Sequence, residues 1–125
     1  MGHLTTLPIA ARQPESVRER LQRMTTEIRD TDLAPARACV LLAKLTALMG
    51  NITDELIDAE FAYNRVLSDA YATEQKANRA KIQAETSPEY LRMREAKGAA
   101  FLVDKLTQSL KAILRQHEAE MRTIR

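Results

Sequence analysis

Glu55 and Asp58 form a Glu-x-x-Asp step on one helical face, with Asp54 beside it. Carboxylates at that spacing can share a magnesium ion, which would suit metal-dependent nucleotide pyrophosphate hydrolysis. Such a site needs a second acidic pair on a facing helix, and no Glu-x-x-Glu companion lies at suitable spacing. The bland reading, a solvated or ion-paired acidic face, is therefore the expectation, with the hydrolase as a minor alternative. The two histidines, His3 and His117, are far apart, and the residue three before His117 is Leu114, so the Glu-x-x-His step of di-iron helical bundles is absent. Cys39 is the single cysteine, which excludes an intrachain disulfide and reads as a small buried apolar residue. No glycine-rich phosphate loop, nucleophile elbow or Cys-x-x-Cys pair occurs. No catalytic residue, metal site or cofactor is predicted, and the chain reads as non-enzymatic.

The second chemistry-bearing set is cationic. Lys76, Arg79 and Lys81 precede Arg92, Arg94 and Lys97, and a helix ending near 86 with another starting at 88 would gather all six near one hairpin tip. Glu74, Glu85, Glu89 and Glu95 dilute these six cations to a net +2. One tip therefore offers a phosphate backbone little, but repetition around an oligomer would add the contacts together. Aromatic content of 4% with no Trp leaves few ring faces for stacking bases.

The elements that must position these residues are helices. A chain of 125 residues has room for one domain, read here as 14–125 behind a flexible start at 1–13, and 29% charged beside 45% apolar residues suits a folded chain. Pro8, Pro14 and Pro35 fall early, and thereafter only Pro88 interrupts. Proline-free stretches of that length predict long helices. The first helix is placed at about 14–30, with Pro14 opening it and Val17, Leu21, Met24 and Ile28 on one stripe. The second is read as one helix over about 36–86, carrying a heptad-like seam from Leu41 through Leu45, Leu48, Ile52, Leu56, Ala59, Tyr63, Val66, Ala70, Thr73 and Ala77, in phase across Gly50. Ser87 and Pro88 then supply an N-cap and first helical position for a third helix over about 88–122, striped by Ala96, Ala99, Val103, Leu106, Leu110, Ile113, His117, Met121 and Ile124.

The predicted fold is all-α: a long antiparallel hairpin with the shorter N-terminal helix packed on its overhang. With the turn at 87, Ile52 should lie near Met121, and about 23 Å of the second helix should protrude at its start. The acidic stretch Asp54, Glu55, Asp58, Glu60, Asp69 and Glu74 should face Lys105, Lys111, Arg115 and Arg122. Residues 36–49 are polar only at Arg37, Lys44 and Thr46. A helix apolar on nearly every face needs cover on nearly every face. Val40, Leu41, Leu42, Leu45, Leu48 and Met49 are accordingly expected to hold a second subunit, making the chain a homo-oligomer. The start has no basic leader segment, only a short apolar run from Leu7 to Ala11 broken by Pro8, and no run is expected to reach membrane-spanning length. A cytoplasmic location without a membrane partner is the expectation.

Leu41–Leu48, Glu55–Val66 with its core Ala59-Glu60-Phe61-Ala62-Tyr63-Asn64, Ser87-Pro88-Glu89-Tyr90, and Glu95-Ala96-Lys97 ahead of a long apolar-basic helix make up a layout spanning residues 40–125. That layout resembles small helical proteins of tailed bacteriophages, and more distantly the UvsY-type recombination mediators. The resemblance implies an oligomeric accessory protein of replication or recombination that binds single-stranded DNA. On this chain Lys76, Arg79, Lys81, Arg92, Arg94 and Lys97 would make the phosphate contacts. The rival expectation is a structural or adaptor protein whose partner is another protein.

Overall fold

Ser16 opens the first helix. Its hydroxyl accepts a hydrogen bond from the Glu19 N–H at 3.1 Å, satisfying one of the donors that a helix start leaves unpaired. The computed structural model describes residues 15–124, and within them every element is a helix: α1 (Val17–Asp30), α2 (Pro35–Thr73), α3 (Ala77–Glu85) and α4 (Pro88–Ile124). Pro14 and the start expected to be flexible at 1–13 lie outside the described residues.

The predicted all-α hairpin is present, but its turn is elsewhere. The helix read as continuous over 36–86 is two helices. It runs unbroken through Gly50, stops at Thr73, and turns a corner in which Glu74 and Lys76 are both extended. α3 then runs back along α2, bringing Ala84 against Ala59 and Tyr63, and α4 continues in the same direction. Ser87 caps the start of α4 as predicted, but the chain does not reverse there. Its hydroxyl donates to the Ala84 carbonyl at 2.6 Å and accepts from the Tyr90 N–H at 3.2 Å.

Nothing local demands the corner, which contains neither glycine nor proline. The reason lies in burial. By turning early, the chain slides α4 toward the start of α2, so that Val103, Leu106 and Leu110 share a core with Leu41, Leu45 and Leu48, closed on the third side by Leu21 and Met24 of α1. A break forfeits three or four helical hydrogen bonds at about 1 kcal/mol net each. Burying six core side chains returns about 1.5–3 kcal/mol apiece, so packing prevails over helix continuity.

The same slide corrects three further expectations. Ile52 sits beside Ala96 and Ala99, not Met121. The overhang belongs to α4, whose last turns leave Met121 and Ile124 exposed, while His117 still reaches the α1–α2 connection with Nε2 3.3 Å from the Leu33 carbonyl. Segment 36–49 turns one side into the core of its own chain and leaves the other open: Leu41, Leu45 and Leu48 are core, Leu42 and Met49 pack half-buried against it, and only Val40 of the six expected interface residues is exposed. A second, smaller core of Ala59, Tyr63, Ala84 and Met93 fills the corner end, with Tyr90 tilted against Tyr63 at 5.2 Å between ring centroids.

Candidate interaction surfaces

Three arrangements of side chains present themselves, and each follows from the position of the corner. The acidic step comes first. Glu55 faces α4 and accepts two hydrogen bonds from Arg92, at 2.7 and 2.8 Å, in a bidentate pair. The guanidinium holds the Glu55 carboxyl below the usual carboxylate range. Among the described residues no three His, Cys, Asp or Glu side chains converge as metal ligands, and Glu55 is occupied by a cation of its own chain. Arg92 thus takes the place that Arg115 and Arg122 were expected to take. Lys105 lies instead over the Phe101 ring, 5.2 Å from its centroid.

The cationic set is dispersed. Lys76 stands at the corner, Arg79 and Lys81 lie exposed on α3, and Arg92, Arg94 and Lys97 follow on α4. From first to last the return arm covers about 30 Å of helical rise, so the six do not share one tip. Arg92 is engaged by Glu55, and Arg94 stacks over Tyr90, 5.8 Å from the ring centroid, while donating to its hydroxyl at 3.2 Å. Lys76, Arg79, Lys81 and Lys97 form no ion pair among the described residues.

The third arrangement was not singled out from the sequence. Opposite its core seam α2 carries a second series at alternating four and three spacing: Val40, Ala43, Ala47, Gly50, Asp54, Ile57 and Phe61. All seven are exposed, Ile57 at 61% and Phe61 at 65%. Large side chains so open to water on a rigid helix are unusual in a row. The signal was available in the residue spacing, but alanine and glycine positions do not announce an interface as leucines do.

α2 also requires one revision concerning membranes. By length and composition it is apolar enough to cross one, its most apolar 18-residue window averaging a hydropathy of 1.2 with 28% buried. A core helix that packs within its own protein has the same length and composition, and Leu41, Leu45, Leu48 and Ile52 of α2 pack in that way.

A cleft of about 730 Å³ opens where α1 begins between α2 and α4, lined by Val17, Leu21, Ile52, Ala96, Ala99 and Leu102 among others. Its walls are mostly apolar, and of the two carboxylates that line it, Glu55 and Glu95, Glu55 is already bound to Arg92. No constellation for acid–base or nucleophilic chemistry lines it. Comparison with family models, with characterised proteins and with solved structures gives no match.

Proposed function

We propose that this chain is a non-enzymatic assembly protein that works by holding another protein chain along the outer face of α2. The observation that carries the reading is the exposed Val40–Phe61 series, seven residues in heptad spacing on the far side of a helix whose near side is already packed. Helix faces of this kind bind a complementary apolar surface, since water is displaced from the whole row at once. Ile57→Glu with Phe61→Glu places two charges in the row without touching the core. Quantitative pull-down from a lysate of the source cells should recover proteins with the wild-type chain that the double variant loses. Identical recovery by both, at equal helicity, would end the reading.

A second reading, the single-stranded-DNA accessory protein of replication or recombination, keeps one supporting observation. Lys76, Arg79, Lys81 and Lys97 are exposed and unengaged by carboxylates among the described residues. It predicts micromolar, salt-sensitive, sequence-tolerant binding of labelled oligonucleotides at low salt, lost on changing the six cations to Glu. Indifference to those changes, or absence of binding, would remove it. The protein-binding reading is preferred because the cations are spread out and two of them are held by Glu55 and Tyr90, whereas the α2 series is contiguous.

A further inference from the structure

The outer face of α2 is not uniform along its length. Its first half is small, with Ala43, Ala47 and Gly50, and its second half is large, with Ile57 and Phe61. Charge follows the same division. The exposed Lys44 flanks the small half, and Asp58, also exposed, flanks the large half on the same side of the row.

A surface whose halves complement each other in size and in charge fits a copy of itself laid antiparallel, because a two-fold axis brings each half onto the opposite one. We infer that the partner held along this face is a second copy of the chain, with α2 packed antiparallel on α2 about an axis near residue 52. This rests on the protein-binding reading above and names its occupant. In that register Phe61 lies on Ala43 of the second copy, Ile57 on Ala47 of the second copy, and Asp54 beside Gly50 of the second copy. Each bulky side chain meets a position with room for it, which lets the two helices approach closely.

Lys44 comes beside Asp58 of the second copy, and the symmetry makes this contact twice. Sliding the helices by one heptad in one direction would bring Lys44 beside Arg65 and Asp54 against Ile57 of the second copy, and in the other direction would leave Lys44 beside Asn51 of the second copy, so of these registers only the first pairs Lys44 with Asp58. Glycine at position 50 has open space around it in the isolated chain, with nothing within 4 Å of an added Cβ, so its small size serves no contact within the fold.

Within one straight helix Lys44 and Asp58 stand about 21 Å apart and cannot pair. That separation makes a charge exchange diagnostic. Light scattering at about 100 µM should give the wild-type chain twice its 14.1 kDa and the Ile57→Glu/Phe61→Glu variant 14.1 kDa, with unchanged helical circular dichroism. Lys44→Glu and Asp58→Lys should each weaken self-association about tenfold, since each creates two like-charge contacts per dimer. Mixing the two variants in equal amounts should restore association, because only the mixed dimer regains both opposite-charge contacts. A wild-type chain that stays monomeric, that associates only with lipid vesicles, or whose charge variants fail to rescue each other overturns the second-copy occupant. Should pull-down still depend on Ile57 and Phe61 in that case, the protein-binding reading stands with a different partner. If that dependence is absent too, both fall.

Discussion

Leu45 and Leu110 are each fully buried, and their contact lies in the core that α1, α2 and α4 share. Leu45→Ala should cost about 3 kcal/mol of unfolding free energy, the transfer of the removed methyls plus the cavity left behind, read from urea denaturation. Changes at Ile57 or Phe61, both outward, should leave that value almost untouched. Charged residues act more gently. Arg92 holds the Glu55 carboxyl below its ordinary value, and Arg37 does the same to Glu27 with hydrogen bonds of 2.6 and 2.8 Å. A carboxyl whose folded-state value is depressed adds stability above its unfolded value, near 4.5, and loses it as pH falls through the folded one. The thermal midpoint should therefore decline below about pH 4.5, and Arg92→Gln should make that decline shallower. Both pairs are substantially exposed, so added salt should shrink the difference. Residue types at these sites were readable in advance; the pairing of Glu55 with Arg92 was not, because it depends on the helix register.

At the scale of elements, helix starts were legible and the main turn was not. Pro35, and Ser87 with Pro88, carry their instructions locally, in a fixed φ and in a hydroxyl that accepts a backbone N–H. Ser87→Ala should accordingly cost about 1 kcal/mol, measured by thermal unfolding. The corner at Glu74–Lys76 has no such residue. Thr73 lends a little help by directing its hydroxyl to the Asp69 carbonyl at 3.0 Å, a back-bond common where helices bend or end. The larger cause is distant in sequence, in the leucines of α2 that need Val103, Leu106 and Leu110, and no inspection of residues 70–80 alone would find it. Glycines give the opposite lesson. Gly98 lies inside α4 with nothing within 4 Å of an added Cβ, so Gly98→Ala should stabilise the fold by about 0.5–1 kcal/mol through the unfolded chain's entropy.

For the whole molecule, the hairpin's class followed from proline placement and apolar periodicity, while its register decided what the surface offers. A turn at 87 would have collected six cations at one tip and left residues 36–49 bare. The turn at 74–76 disperses those cations, buries Leu41, Leu45 and Leu48, and leaves the opposite side of α2 uncovered, as it does Ile82, Leu91 and Phe101 on the return arm. The expectation of an oligomer thus moves from one side of α2 to the other: the leucines serve the monomer, and Val40, Ala43, Ala47, Ile57 and Phe61 are free to serve its partner.

The most direct test uses the single cysteine, which is exposed on α2 and not buried as expected. A nitroxide on Cys39 provides one spin per chain, so any dipolar distance must arise between copies. Antiparallel packing about residue 52 separates the two labels by 26 residues of helix, or about 39 Å along the axis. Pulsed electron double resonance should give a distance near 40 Å that disappears in the Ile57→Glu/Phe61→Glu background. A distance below about 20 Å, as parallel helices would produce, or no dipolar modulation at concentrations near 100 µM, would contradict the antiparallel pairing.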